Sequence, residues 1–169
     1  MSLSLYRLSI PAFVRGFGVL SSYLDKAEAH AQAQGLEPEI LVQARLSPDM
    51  LPLAGQVQRA SDTSKNAIAR LAAIEAPSFP DNENTFAELR QRIANTLEFF
   101  ASVGPAQLEG SESREIALKF GKFQTVLSGE EYLLTFALPN FYFHIATAHG
   151  ILRHQGVPIG KLDYLGPFG

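Results

Sequence analysis

Asn140 and His144 are the residues whose type and spacing could do chemistry. They stand four positions apart in a segment of helical pattern, which sets them one turn apart on the same side of a helix. Pairs at that spacing let a helix offer two ligands to a metal ion or two polar groups to a small molecule. An imidazole can hold a divalent metal through a neutral ring nitrogen, or exchange a proton near neutral pH. The other histidines do not extend the pair. His149 follows His144 by five residues, about 140° around the helix; His154 lies near the end of the same helix and His30 on the first one. Zinc sites draw three or four imidazole, thiolate or carboxylate donors, and an amide is a poor member of such a set. His144 therefore reads first as a half-buried histidine satisfied by a carbonyl or by Asn140, with metal binding as the competing reading. His149 and His154 read as surface groups, and Asp25, Glu28 and Asp62 as solvated helix residues.

Composition narrows the remaining chemistry. The 169 residues are 46% hydrophobic and 18% charged, in the globular range, so a single domain over 1–169 is expected. There is no cysteine, which excludes disulfides, thiolate nucleophiles and cysteine-held metals. Fourteen Lys and Arg against seventeen Asp and Glu give a net charge of -3, a poor match to a phosphate backbone, so no nucleic-acid partner is expected. No run of about 18 apolar residues points to a membrane span, and the N-terminal stretch lacks the pattern of a secretory signal. A cytoplasmic location is the default expectation. No Gly-rich phosphate loop, nucleophile elbow or paired-acid motif is present.

The elements that must position Asn140 and His144 follow from apolar periodicity. Phe13, Phe17, Leu20, Leu24, Ala27 and Ala31 predict a long first helix over 10–34, with Ser9 as its cap, Pro11 in its first turn and Gly35 as its stop. Close packing against a neighbour would account for Gly16 and Gly18 inside it. A short turn over Glu39 to Ala44 precedes Ser47-Pro48-Asp49, which predicts the start of a second helix running to about Ile74, ahead of Pro77 and Pro80. Ser64 interrupts its apolar stripe and reads as a serine bonded back one turn. Thr85-Phe86-Ala87-Glu88 is a capping box that opens a third helix, closed by Gly104-Pro105. Alternation through Ile116, Leu118 and Phe120 with a turn at Gly121-Lys122 predicts a hairpin. Ser128 then caps another helix, which Pro139 is expected to kink or restart near Asn140 before it runs to Gly156. On that last helix Phe141, Ile145, Ala148 and Leu152 form the apolar stripe, Asn140, His144, Thr147 and Ile151 lie beside it, and Tyr142, His149 and Arg153 point away. Phe141-Tyr142-Phe143 reads as core or subunit contact. The tail from Gly156 to Leu165 is expected as an ordered coil.

Arg45-Leu46-Ser47-Pro48-Asp49-Met50, Gln56-Val57-Gln58, Pro139-Asn140-Phe141-Tyr142-Phe143-His144, Ile151-Leu152-Arg153-His154-Gln155-Gly156-Val157 and Gly160-Lys161-Leu162-Asp163-Tyr164-Leu165 together resemble the bacterial family called domain of unknown function 1993 (DUF1993). That family is similar to the DinB/YfiT group of metalloenzyme-type four-helix bundles. The resemblance implies an all-α, DinB-like four-helix bundle, with the small β-hairpin before the last helix, and a homodimer. It also implies a site. In the larger group a metal is held by one histidine of the second helix and a His-x-x-x-His of the last. Here Gln56 stands for the first, and Asn140 and His144 for the pair. Two of three ligands are thus amides. The first functional expectation is a non-catalytic or small-ligand-binding dimer with a degenerate metal site and no cofactor. The alternative is a metal-dependent hydrolase or transferase with zinc or nickel near His144, recruiting a further ligand such as Asp62.

Overall fold

The computed structural model describes residues 4–167. Helix α1 spans Leu5–Gln34, and the six apolar residues that predicted it are all buried. Gly35, at φ 63°, closes the helix and donates to the carbonyls of Ala31 and Gln32. The start lies five residues earlier than expected. Ser4 is the cap, accepting from the Arg7 N–H, while Ser9 is buried inside the helix and bonds back to the Leu5 carbonyl at 2.6 Å. Pro11 consequently sits in the helix interior, at a cost of about 3 kcal/mol. Burial of Leu5 on the added residues, with Tyr6 and Leu8 packed against the core, offsets that cost.

Helix α2, Pro38–Val42, tucks Leu41 and Val42 into the core. The second long helix, α3, spans Leu53–Ala72 and does not begin at Pro48. A second proline explains the delay: Pro52 is extended at ψ 175° and biases Leu51 away from helical geometry. Ser47 turns its hydroxyl onto the Asp49 carboxylate at 2.5 Å and caps no helix. Ser64 bonds back to the Ala60 carbonyl at 2.8 Å, as predicted. Helix α4, Phe86–Ala101, opens on the reciprocal Thr85 and Glu88 caps.

Strands β1, Glu115–Phe120, and β2, Phe123–Ser128, pair antiparallel with Ala117 opposite Val126. Gly121, at φ 57°, makes their turn. Ser128 caps the short α5, Gly129–Glu131, with Glu131 reaching back to its N–H. Six residues of π-helix, Tyr132–Ala137, lead without interruption into α6, Leu138–His154. Of the two expectations at Pro139, a kink or a restart near Asn140, the structure has a restart: the α-helical pattern resumes at Leu138 after a stretch of wider pitch. A proline has no N–H for the carbonyl four residues back and its ring crowds that carbonyl; the wider π turn ahead of it relieves both problems.

Helices α1, α3, α4 and α6 form a four-helix bundle around one apolar cluster. Phe141 anchors it, edge-on to Phe13 at 4.8 Å and to Phe17 at 5.4 Å between ring centroids. Gly16 exists for this contact: a Cβ there would run into the Phe141 ring and Ile145. Gly18 has open space around its Cβ position, so close packing explains only the first of the two glycines. The tail is more ordered than expected. Val157 and Ile159 are buried, and Lys161–Leu165 form a short helix, α7, whose start is tied by the Gly160 N–H to the Asp163 carboxylate at 2.7 Å. None of the residues of α7 is itself buried; Arg15 on α1 holds its end through the Leu165 and Pro167 carbonyls.

Candidate functional site

Helices α3 and α6 pack side by side, and that seam brings Gln56 to His144. Both side chains are buried. Gln56 Nε2 donates to the Leu51 carbonyl at 2.9 Å, so the opposite end of the amide, Oε1, faces His144 Nδ1 at 2.8 Å. A carboxamide oxygen only accepts, which makes Nδ1 the proton-bearing nitrogen and leaves Nε2 with its lone pair. Arg92 Nε is the one buried side-chain N or O without a partner among the described residues; His144 Nε2, which has no protein partner either, is therefore reached by solvent. Burial pushes the imidazole down to about pKa 4, and the guanidinium of Arg59, one turn after Gln56, adds to the effect. At neutral pH this is a neutral base with one open nitrogen.

Asn140 does not satisfy His144, contrary to one sequence expectation. It reaches across the same seam and donates from Nδ2 to Thr63 Oγ1 at 2.9 Å. Gln56, Asn140 and His144 thus lie along one α3–α6 seam but form two separate hydrogen-bonded pairs.

Asp62 is also not a solvated residue. It accepts from Lys65 at 2.7 Å, from Arg92 at 2.9 Å and from Arg59 at 3.3 Å. Arg92 is 1% exposed and further pairs with Asp81 at 3.0 Å and Glu83 at 2.9 Å, pinning the segment between α3 and α4. Nothing local in the sequence marks this cluster, because its acids come from two places, α3 and the loop before α4, that only the bundle brings to Arg92. His149 is likewise half-buried, against expectation, and meets the hydroxyl of Tyr23 on α1 at 2.7 Å.

A divalent metal fits this donor set badly. Gln56 uses both ends of its amide on Leu51 and His144, Asn140 offers only an amide oxygen, a poor zinc donor, and Asp62 is surrounded by three cations. Among the described residues no three His, Cys, Asp or Glu side chains gather as a metal site. None of the helices among them is long and apolar enough to cross a membrane.

A four-helix bundle with a two-stranded hairpin before its last long helix places the chain in the DinB-like class of folds. Within it, the chain belongs to the family described as a domain of unknown function, DUF1993, whose model matches residues 5–165. It is similar to a crystal structure of a DinB family member protein from Shewanella denitrificans, with 40% identity, a TM-score of 0.92, and coverage of 97% of this chain and 93% of that one. No curated protein matches the chain.

Proposed function

We propose that this protein is a non-catalytic, small-ligand-binding DinB-type bundle, acting as a homodimer in the cytoplasm, in which a hydrogen-bonded Gln56–His144 pair stands where relatives of this fold hold a metal. One observation carries the reading: Gln56 Oε1 takes the His144 Nδ1 proton while its own amide is held by Leu51. The seam then presents neutral acceptors, His144 Nε2 and, one turn away, the Asn140 amide oxygen, in place of three imidazoles. A ligand suited to it carries a hydroxyl or N–H group that donates to Nε2, with an apolar part resting on Phe143, which is 56% exposed and edge-on to His144. Exposed Leu46 and Leu51 extend the apolar surface beside this seam and favour a second copy as the cover. The metal-dependent hydrolase or transferase reading loses its extra ligand, since Asp62 serves Arg92, Lys65 and Arg59.

Elemental analysis of protein purified without an affinity tag tests the proposal. Sub-stoichiometric zinc, nickel and iron are expected. A stoichiometric metal that His144→Ala abolishes would overturn it, and sedimentation as a strict monomer at micromolar concentration would overturn the dimer.

A further inference from the structure

The second histidine of α6 is set up in the opposite sense. Tyr23 is fully buried, and among the described residues its hydroxyl meets only His149 Nδ1, at 2.7 Å. A buried phenol must place its proton on an acceptor, so Tyr23 donates and Nδ1 accepts. The ring proton of neutral His149 is then on Nε2. Burial drives the Tyr23 pKa up, keeping it a phenol; burial first, then Arg153, holds His149 below its ordinary value and neutral. Among the described residues His149 Nε2 has no partner, and it is not one of the buried unpaired atoms, so this N–H is open to solvent.

His149 lines an open cleft of about 210 Å³ between α6 and α7, together with Ala146, Lys161 and Tyr164. That volume exceeds the roughly 150 Å³ that accommodates a benzene ring. The Ala146 methyl and the Tyr164 ring, edge-on to His149 at 6.3 Å, give it apolar walls. Its charge is positive: Lys161 is exposed and forms no ion pair among the described residues, while the nearest α7 carboxylate, Asp163, is held by Lys26 at 2.5 Å and by the Gly160 N–H.

We infer that this cleft is a second binding site, for a small carboxylate with a flat apolar body, whose carboxylate accepts from His149 Nε2–H and pairs with Lys161. The site is distinct from the Gln56–His144 seam: it is built by α7 against the other side of α6, with Tyr23 of α1 behind His149, and offers a donor where the seam offers an acceptor.

Benzoate, titrated into the full chain and followed by NMR, tests the inference. Saturable shifts at Ala146, His149, Lys161 and Tyr164 are expected, with His149 carrying its proton on Nε2 and with His144 unmoved. Lys161→Ala, at an exposed position, should weaken benzoate about tenfold, the loss of one charge-assisted contact. Tyr23→Phe should weaken it severalfold by freeing the tautomer, with circular dichroism reporting that the bundle is intact. Benzoate that moves His144 instead of His149, Lys161→Ala binding unchanged, or neutral benzamide binding as tightly as benzoate would each overturn the inference.

Discussion

His144 Nδ1 and Gln56 Oε1 lie 2.8 Å apart across 88 residues of sequence, and with Asn140–Thr63 this contact joins the second long helix to the last. It fixes the tautomer of the imidazole and occupies one lone pair of the amide oxygen. The chemistry left to the seam is that of neutral acceptors, His144 Nε2 foremost.

The absence of a ligand ring is reversible by design. Gln56→His together with Asn140→His would give three imidazoles along the α3–α6 seam, a donor set suited to zinc. The double variant is expected to bind zinc at one per chain by elemental analysis, while neither single variant reaches that stoichiometry. Zinc retained equally by the parent chain would contradict the reading of a degenerate centre.

Protonation of His144 links the seam to stability. The unfolded chain takes up this proton near pH 6.5, the folded chain only near pH 4. Between those values the unfolded state binds more protons, so stability falls as the pH falls, by about 3 kcal/mol at most. Denaturant midpoints measured from pH 7 to pH 4 should show this loss, and His144→Gln should flatten it. A His144 resonance titrating near pH 6.5 in the folded protein would refute the assignment.

The two glycines of α1 should respond oppositely to the same change. Gly16→Ala drives a methyl into Phe141 and Ile145 and is expected to cost about 1–3 kcal/mol. Gly18→Ala meets nothing and, on an exposed helix interior, should gain about 0.5–1 kcal/mol. Thermal melts of the two variants moving in the same direction would contradict this packing.

Arg92 should be the most sensitive charged residue in the chain. Arg92→Met removes the cation shared by Asp62, Asp81 and Glu83, leaving three acids close together. A loss of about 3 kcal/mol is expected in urea denaturation. A loss below about 0.5 kcal/mol would mean that solvent, not Arg92, satisfies those acids.

Helical periodicity, caps and breakers determined most of the architecture. The buried face of α1, the Gly35 stop, the Thr85 capping box, the hairpin turn at Gly121 and the apolar stripe Phe141, Ile145, Ala148 and Leu152 are all interactions within a few residues of one another, so their signals are local. The misplaced starts of α1 and α3 and the π turn before Pro139 depended on which turns find a partner to bury against, or on a single proline shifting the geometry of its neighbours. Gln56, Asn140 and His144 were legible as candidates through their spacing and the family pattern, but their partners were not. Whether an amide bonds a histidine, a threonine or a metal is set by side chains 77 to 88 residues away, and the same holds for Tyr23 against His149. Sequence fixes which groups a helix presents; only the packing of one helix on another decides which group completes their hydrogen bonds, because that choice is made by distance in space, which spacing along a single helix does not encode.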